Sequence, residues 1–234
     1  MVRMRRRPPA IQVFIVMATT FFAAACGSAA APSTPPAEAS GAAVSQSPDG
    51  SMSPRPASIG GPEVVAAASA IDAAKTGDPV SMGTLQSLRF TDTGTQAARQ
   101  RIEAGATGDA LWAATWLYAT AGTDPAPLVP LLTNEDSTIR VMAAAALMAL
   151  GSEDGFDVLV DAISSDDQLR GSEPPTTVAR FAARTLDRYT DTGLSGPAGT
   201  PAEKAESARR WSAWLEASHS SLRFDAETGM WASR

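Results

Sequence analysis

Three pairs of adjacent acids have the type and spacing for chemistry: Glu135-Asp136, Glu153-Asp154 and Asp166-Asp167. Two nearby carboxylates can share acid and base roles on a glycosidic bond, or offer hard oxygen ligands to calcium. Each pair also lies where a helix is expected to start, and helix capping accounts for all three without a reaction. His219 is the only histidine and sits between Ser218 and Ser220, so no metal site can be built from histidines. No serine lies in a strand–turn–helix elbow. Gly193-Leu194-Ser195-Gly196-Pro197-Ala198-Gly199 reads as a linker rather than a phosphate cradle. This inventory points away from catalysis, and no cofactor or metal is expected.

Residues suited to binding are better represented. Trp112 and Trp116 stand four apart, on one face of any helix that carries them. Trp is enriched in interface hot spots, although core packing explains the same pair. Arg180, Arg184 and Arg188 also step every fourth residue and form one basic stripe, which a solvated outer face would explain equally well. With Arg140 and Met148 they are the candidates for a partner-binding surface.

The elements that position these residues begin after a processing signal. Met1–Ala10 carries four arginines and no acid, and Ile11–Ala25 is mostly apolar. A basic start, a short apolar core and small closing residues make a secretory signal peptide over residues 1–25. Ala23-Ala24-Ala25-Cys26-Gly27 then places the only cysteine after three small residues. This resembles the lipobox of bacterial lipoproteins, with Ala23 where that family prefers Leu. The resemblance implies that Cys26 is acylated and becomes the mature N-terminus. The expected location is the outer face of the cytoplasmic membrane, or the outer membrane and periplasm where the host has one.

Removing four arginines from the 19 basic residues leaves 15 against 25 acids, a formal charge of −10. Such a body lacks the electrostatic footprint of nucleic-acid binding. It also has no charge-based affinity for anionic lipid, so the acyl chains must hold it at the membrane. Residues 26–60 are rich in Ala, Ser, Pro and Gly and contain no aromatic residue. They cannot bury enough surface to offset ordering, and they read as a disordered tether spanning roughly 30 Å.

Residues 61–234 read as the folded part. Its centre is Asp136–Gly151, where Val141–Leu150 is apolar without a break. Ten residues are too few for a bilayer span, so the expectation is a helix surrounded by protein, capped by Asp136 and ended by Gly151. Helices are also expected over Pro62–Lys75, Thr95–Ala104, Pro125–Leu132 and Asp154–Ile163, while Val80–Thr93 is too weakly patterned to assign.

An Ala-Ala-x-x-Leu frame recurs at Ala113–Leu117, Ala143–Leu147 and Ala182–Leu186, at spacings of 30 and 39 residues. The polar insertion Asp166–Pro175 explains the longer interval. Leu128-Val129-Pro130-Leu131-Leu132, Asp136, Ile139-Arg140, Ala143-Ala144 and Leu147 together resemble the bacterial HEAT-like repeat. That resemblance implies an all-α fold: a short right-handed α-solenoid of helix pairs. In that family the Asp and Arg at the turn order the stack, and successive second helices line a binding surface for protein partners.

Thr200-Pro201-Ala202-Glu203 supplies an N-cap, an N1 proline and a capping-box Glu for a last helix running to about Ala217. Leu222–Phe224 and Met230-Trp231 are expected as two extended arms folding back on that helix. Together they would close an end that a terminal repeat otherwise exposes. The function this favours is a lipid-anchored scaffold binding an envelope protein. Two others compete: a glycan hydrolase using paired carboxylates, and a peptide- or small-ligand-binding lipoprotein with a groove lined by tryptophans.

Overall fold

The computed structural model describes residues 60–196 and 199–233. The signal peptide, Cys26 and the tether lie outside the described residues. The fold is all-α apart from one small sheet. Among the described residues eight α-helices run in order: α1 (Pro62–Asp72), α2 (Pro79–Leu88), α3 (Asp92–Glu103), α4 (Gly108–Ala121), α5 (Ser137–Ala149), α6 (Gly155–Ala162), α7 (Val178–Thr190) and α8 (Pro201–Ser218). A 3-10 turn, Val129–Thr133, precedes α5. Strands β1 (Leu222–Asp225) and β2 (Met230–Ser233) form an antiparallel hairpin in which Phe224 pairs with Trp231. No helix among the described residues is long and apolar enough to cross a membrane.

The central helix forms as its sequence dictates. The Asp136 carboxylate accepts from the backbone N–H groups of Thr138 and Ile139, the donors a first turn leaves unpaired. At the other end Gly151 takes φ +82°. Its N–H bonds the Met148 carbonyl, and Ser152 N–H reaches back to Leu147. That pairing satisfies the last carbonyls of the helix.

Every residue from Val141 to Met148 is buried, because α5 has two apolar neighbourhoods rather than one. Ile139, Met142, Ala143, Ala146 and Leu147 belong to a core shared with α1–α4. Val141, Ala144 and Met148 belong to a second core shared with α6, α7, α8 and the hairpin. The α5–α6 approach depends on Gly155. A Cβ there would overlap the Ala144 carbonyl oxygen.

The long helices pack serially, α4 on α5 and α5 on α7, and each packs on a shorter element, α3, the 3-10 turn or α6 respectively. Several expected boundaries move. The unassigned stretch Val80–Thr93 contains most of α2, which begins at the Asp78 cap and Pro79. Its pattern is faint because Leu85 is the one residue it fully buries. The expected helix over Pro125–Leu132 is only the 3-10 turn. Pro130 has no N–H to give to a regular helix, so the segment tightens instead.

The last helix carries the expected capping box on Thr200 and Glu203. The arms do not fold back on it as expected. The hairpin packs on α7, and the Trp231 indole N–H donates to the Met148 carbonyl at the end of α5 over 3.0 Å. That bond ties β2 to the end of α5.

Candidate functional site

The acidic pairs are each engaged in holding the chain together. Asp136 caps α5 and also meets Arg170 Nη2 at 2.8 Å. Asp154 accepts from the Ser152 hydroxyl. Asp166 accepts from Lys204 Nζ at 2.6 Å. The carboxyl of Asp167 is held below its ordinary range by hydrogen bonds from the Ser137 and Ser165 hydroxyls, with Arg140 adding a smaller favourable charge. Asp109 is likewise lowered, chiefly by the Thr76 hydroxyl and then by Arg170. Lowering is the reverse of what a glycosidic general acid needs near neutral pH. Among the described residues no group of three or more His, Cys, Asp or Glu could hold a metal ion. His219 is exposed at the end of α8.

Arg170 lies in the insertion between α6 and α7, which sequence reading took only as a spacer. Its guanidinium bridges Asp109 on α4 (3.3 Å) and Asp136 ahead of α5 (2.8 Å). Its backbone N–H donates to the Thr138 hydroxyl, and the next residue, Gly171, lies against the Trp112 indole. Lys204 of α8 fastens the start of the same segment through the Ser165 carbonyl and Asp166. Behind the segment, Ser195 is buried. Its hydroxyl donates to the Ala183 carbonyl and accepts from the Trp211 indole N–H. A lone Arg, Lys or Ser in a polar loop gives no periodic signal, so none of these ties was legible beforehand.

The sequence-derived binding residues separate into three groups. Trp112 is 1% exposed and Met148 is fully buried, so neither presents a surface. The strap around Gly171 and the second core cover them. Arg140 is half-buried, and its Nη1 donates to the carbonyls of Asn134 and Glu135, which orders the turn before α5. Arg180, Arg184 and Arg188 are exposed on α7, and among the described residues no ion pair involves any of them. Three like charges four apart on a helix repel one another modestly, while Arg188 in the last turn is favoured by the helix dipole.

Trp116 is half-buried and stacks on Trp112, with ring centroids 6.5 Å apart. Over its other neighbours lies a residue that sequence reading missed. The Arg89 guanidinium sits 4.5 Å from the centre of the Phe90 ring and 5.5 Å from that of Trp116. Phe90 is 48% exposed and held at φ +71°, where a bulky side chain is strained. Burial lowers the Arg89 pKa from its ordinary value, and no carboxylate offsets it.

The tryptophans do not line the groove expected for a ligand. A cleft of about 440 Å³ instead opens between the start of α5, the end of α6 and the start of α7. Leu132, Val141, Val158 and Val178 line it together with Arg140 and Asp161. No family model, curated protein or solved structure matches the chain.

Proposed function

We propose that this chain is a lipid-anchored, non-enzymatic adaptor of the cell envelope, and that its helices form a short HEAT-like solenoid that binds a protein partner. The observation that carries the reading is the Arg180–Arg184–Arg188 stripe. It is exposed, takes part in no ion pair among the described residues and belongs to a chain with six more acids than bases. A partner with acidic residues at helical spacing is the complement, and charge complementarity of this kind sets docking rate and specificity. The solenoid reading draws support from the serial contacts α4–α5–α7 and from Arg170, which ties the starts of two successive long helices. The anchor reading rests on the run before Cys26.

The test is a photoreactive side chain at position 184 in the full-length protein in its native membranes. It is expected to capture one envelope protein, and charge reversal at Arg180 and Arg188 to abolish the capture. Capture that survives the reversal would remove the adaptor reading. Intact-mass measurement of the membrane-extracted chain tests the anchor, with acylated Cys26 as the expected result.

A second reading, capture of a peptide, draws on the cleft beside Arg140 and Asp161, whose aliphatic and charged lining suits a short apolar segment with a polar end. Saturable peptide binding lost in Val158→Trp, with crosslinking from position 184 absent, would favour it.

A further inference from the structure

Five arginines among the described residues are half-buried: Arg89, Arg101, Arg140, Arg170 and Arg210. Four of them hold an oxygen. Arg101 pairs with Asp72, and Arg140 takes two backbone carbonyls. Arg170 takes Asp109 and Asp136, and Arg210 takes the Ser195 carbonyl with Glu206 nearby. Arg89 holds none among the described residues; its Nε is buried without an acceptor, as are those of Arg101, Arg170 and Arg210, but theirs belong to guanidinium groups held elsewhere by an oxygen. A half-buried guanidinium without such an oxygen gives up part of its hydration with nothing in the fold to replace it.

The guanidinium carbon of Arg89 lies over the Phe90 and Trp116 rings, within cation–π range of both, which holds the group in place without using its N–H donors. Trp116 is itself braced by Trp112. Phe90 takes its left-handed backbone conformation as the third residue of the turn that joins α2 to α3, closed by the Thr91 N–H on the Leu88 carbonyl, and that turn holds its ring half in water beside Arg89.

We propose that Arg89, framed by Phe90 and Trp116, is a carboxylate-binding site that receives an Asp or Glu side chain, or the C-terminus, of a partner protein. The planar fork of a guanidinium matches a carboxylate in a bidentate pair. An anionic membrane surface fits less well, because a chain with 25 acids against 19 bases is repelled from it as a whole, whereas one carboxylate is not. The site deepens the adaptor reading and rests on it for the partner's identity. It stands some distance along the fold from the α7 stripe, on α2–α4 rather than α7, so the two can fail separately.

The experiment uses the full-length chain, isotopically labelled, in an uncharged maltoside detergent. The Arg89 Nε–H resonance is followed by NMR during titration with acetyl-Ala-Glu-Ala-amide and with the same peptide carrying Gln. The expected result is a saturable shift of that resonance with the Glu peptide, at least about tenfold weaker with the Gln peptide. Tryptophan fluorescence should report the same binding, lost in Arg89→Gln and unchanged in Arg209→Gln, which alters an exposed arginine of α8. Equal shifts with both peptides, or no shift with either, would overturn the site. So would a response only to phosphatidylglycerol vesicles. Loss of crosslinking from position 184 with a normal Glu-peptide response would remove the adaptor reading and leave the carboxylate site standing.

Discussion

The two ends of the molecule are finished differently. The C-terminal end is closed by aromatic residues that interlock: Phe156 meets both Trp214 and Trp231, Trp231 meets Phe224, and Trp211 meets Trp214. Its two buried indole N–H groups, on Trp211 and Trp231, both find acceptors. The N-terminal end keeps Val65, Val80 and Phe90 in water, and its buried Trp112 has an indole N–H with no acceptor. One end is built for closure. The other carries a left-handed Phe90, an Arg89 with no ion pair among the described residues, and apolar side chains in water.

The sharpest way to break the contrast is Trp231→Ala. The variant leaves a cavity against Phe156 and Phe224 and removes the indole donor to the Met148 carbonyl, which keeps only its bonds from the end of α5. A loss of about 3–5 kcal/mol is expected in urea unfolding. Gly155→Val comes next. The new side chain has no room beside the Ala144 carbonyl, so α6 must back away from α5, at about 1–3 kcal/mol.

A smaller effect falls at the joint between the ends. Arg170→Ala loses two partly exposed ion pairs, and about 0.5–1 kcal/mol is expected once solvent screening is allowed for. Acid should reach the same joint. Asp109 has a carboxyl lowered by folding, so its contribution is complete above the unfolded-state pKa of about 4 and fades as pH falls through the folded value. Thr76→Val removes the main cause of that lowering, so its stability should fall less between pH 5 and pH 3 than that of the parent chain, when followed by circular dichroism.

The smallest effect sharpens the contrast by its sign. Phe90→Gly relieves a φ of +71° and removes a half-exposed ring. Stability is expected to stay level or rise by up to about 1 kcal/mol, the reverse of any aromatic removal at the closed end.

What the sequence made legible was whatever repeats or caps. The Ala-rich α5, its Asp136 and Gly151 ends, and the Thr200–Glu203 box are all local patterns with one physical solution. The α7 stripe was legible for the same reason, since one helix sets its spacing. Position relative to other elements was not. Trp112 and Trp116 look equivalent at four residues apart, yet the segment around Gly171 covers one and leaves the other half open. Arg89 was invisible because its meaning lies in what it lacks, and a missing counter-charge has no sequence pattern. Arg170 and Lys204 act across 61 and 38 residues respectively, beyond any local window.

The double membership of α5 has a consequence for how the chain comes apart. It is the last wall of one chamber and the first wall of the next, so neither half encloses itself without it. Nicking the backbone within 164–177 should therefore yield two pieces that stay clasped in native buffer, and the smaller, freed of its neighbour, should collapse. An insertion beside the shared wall would open both chambers at once.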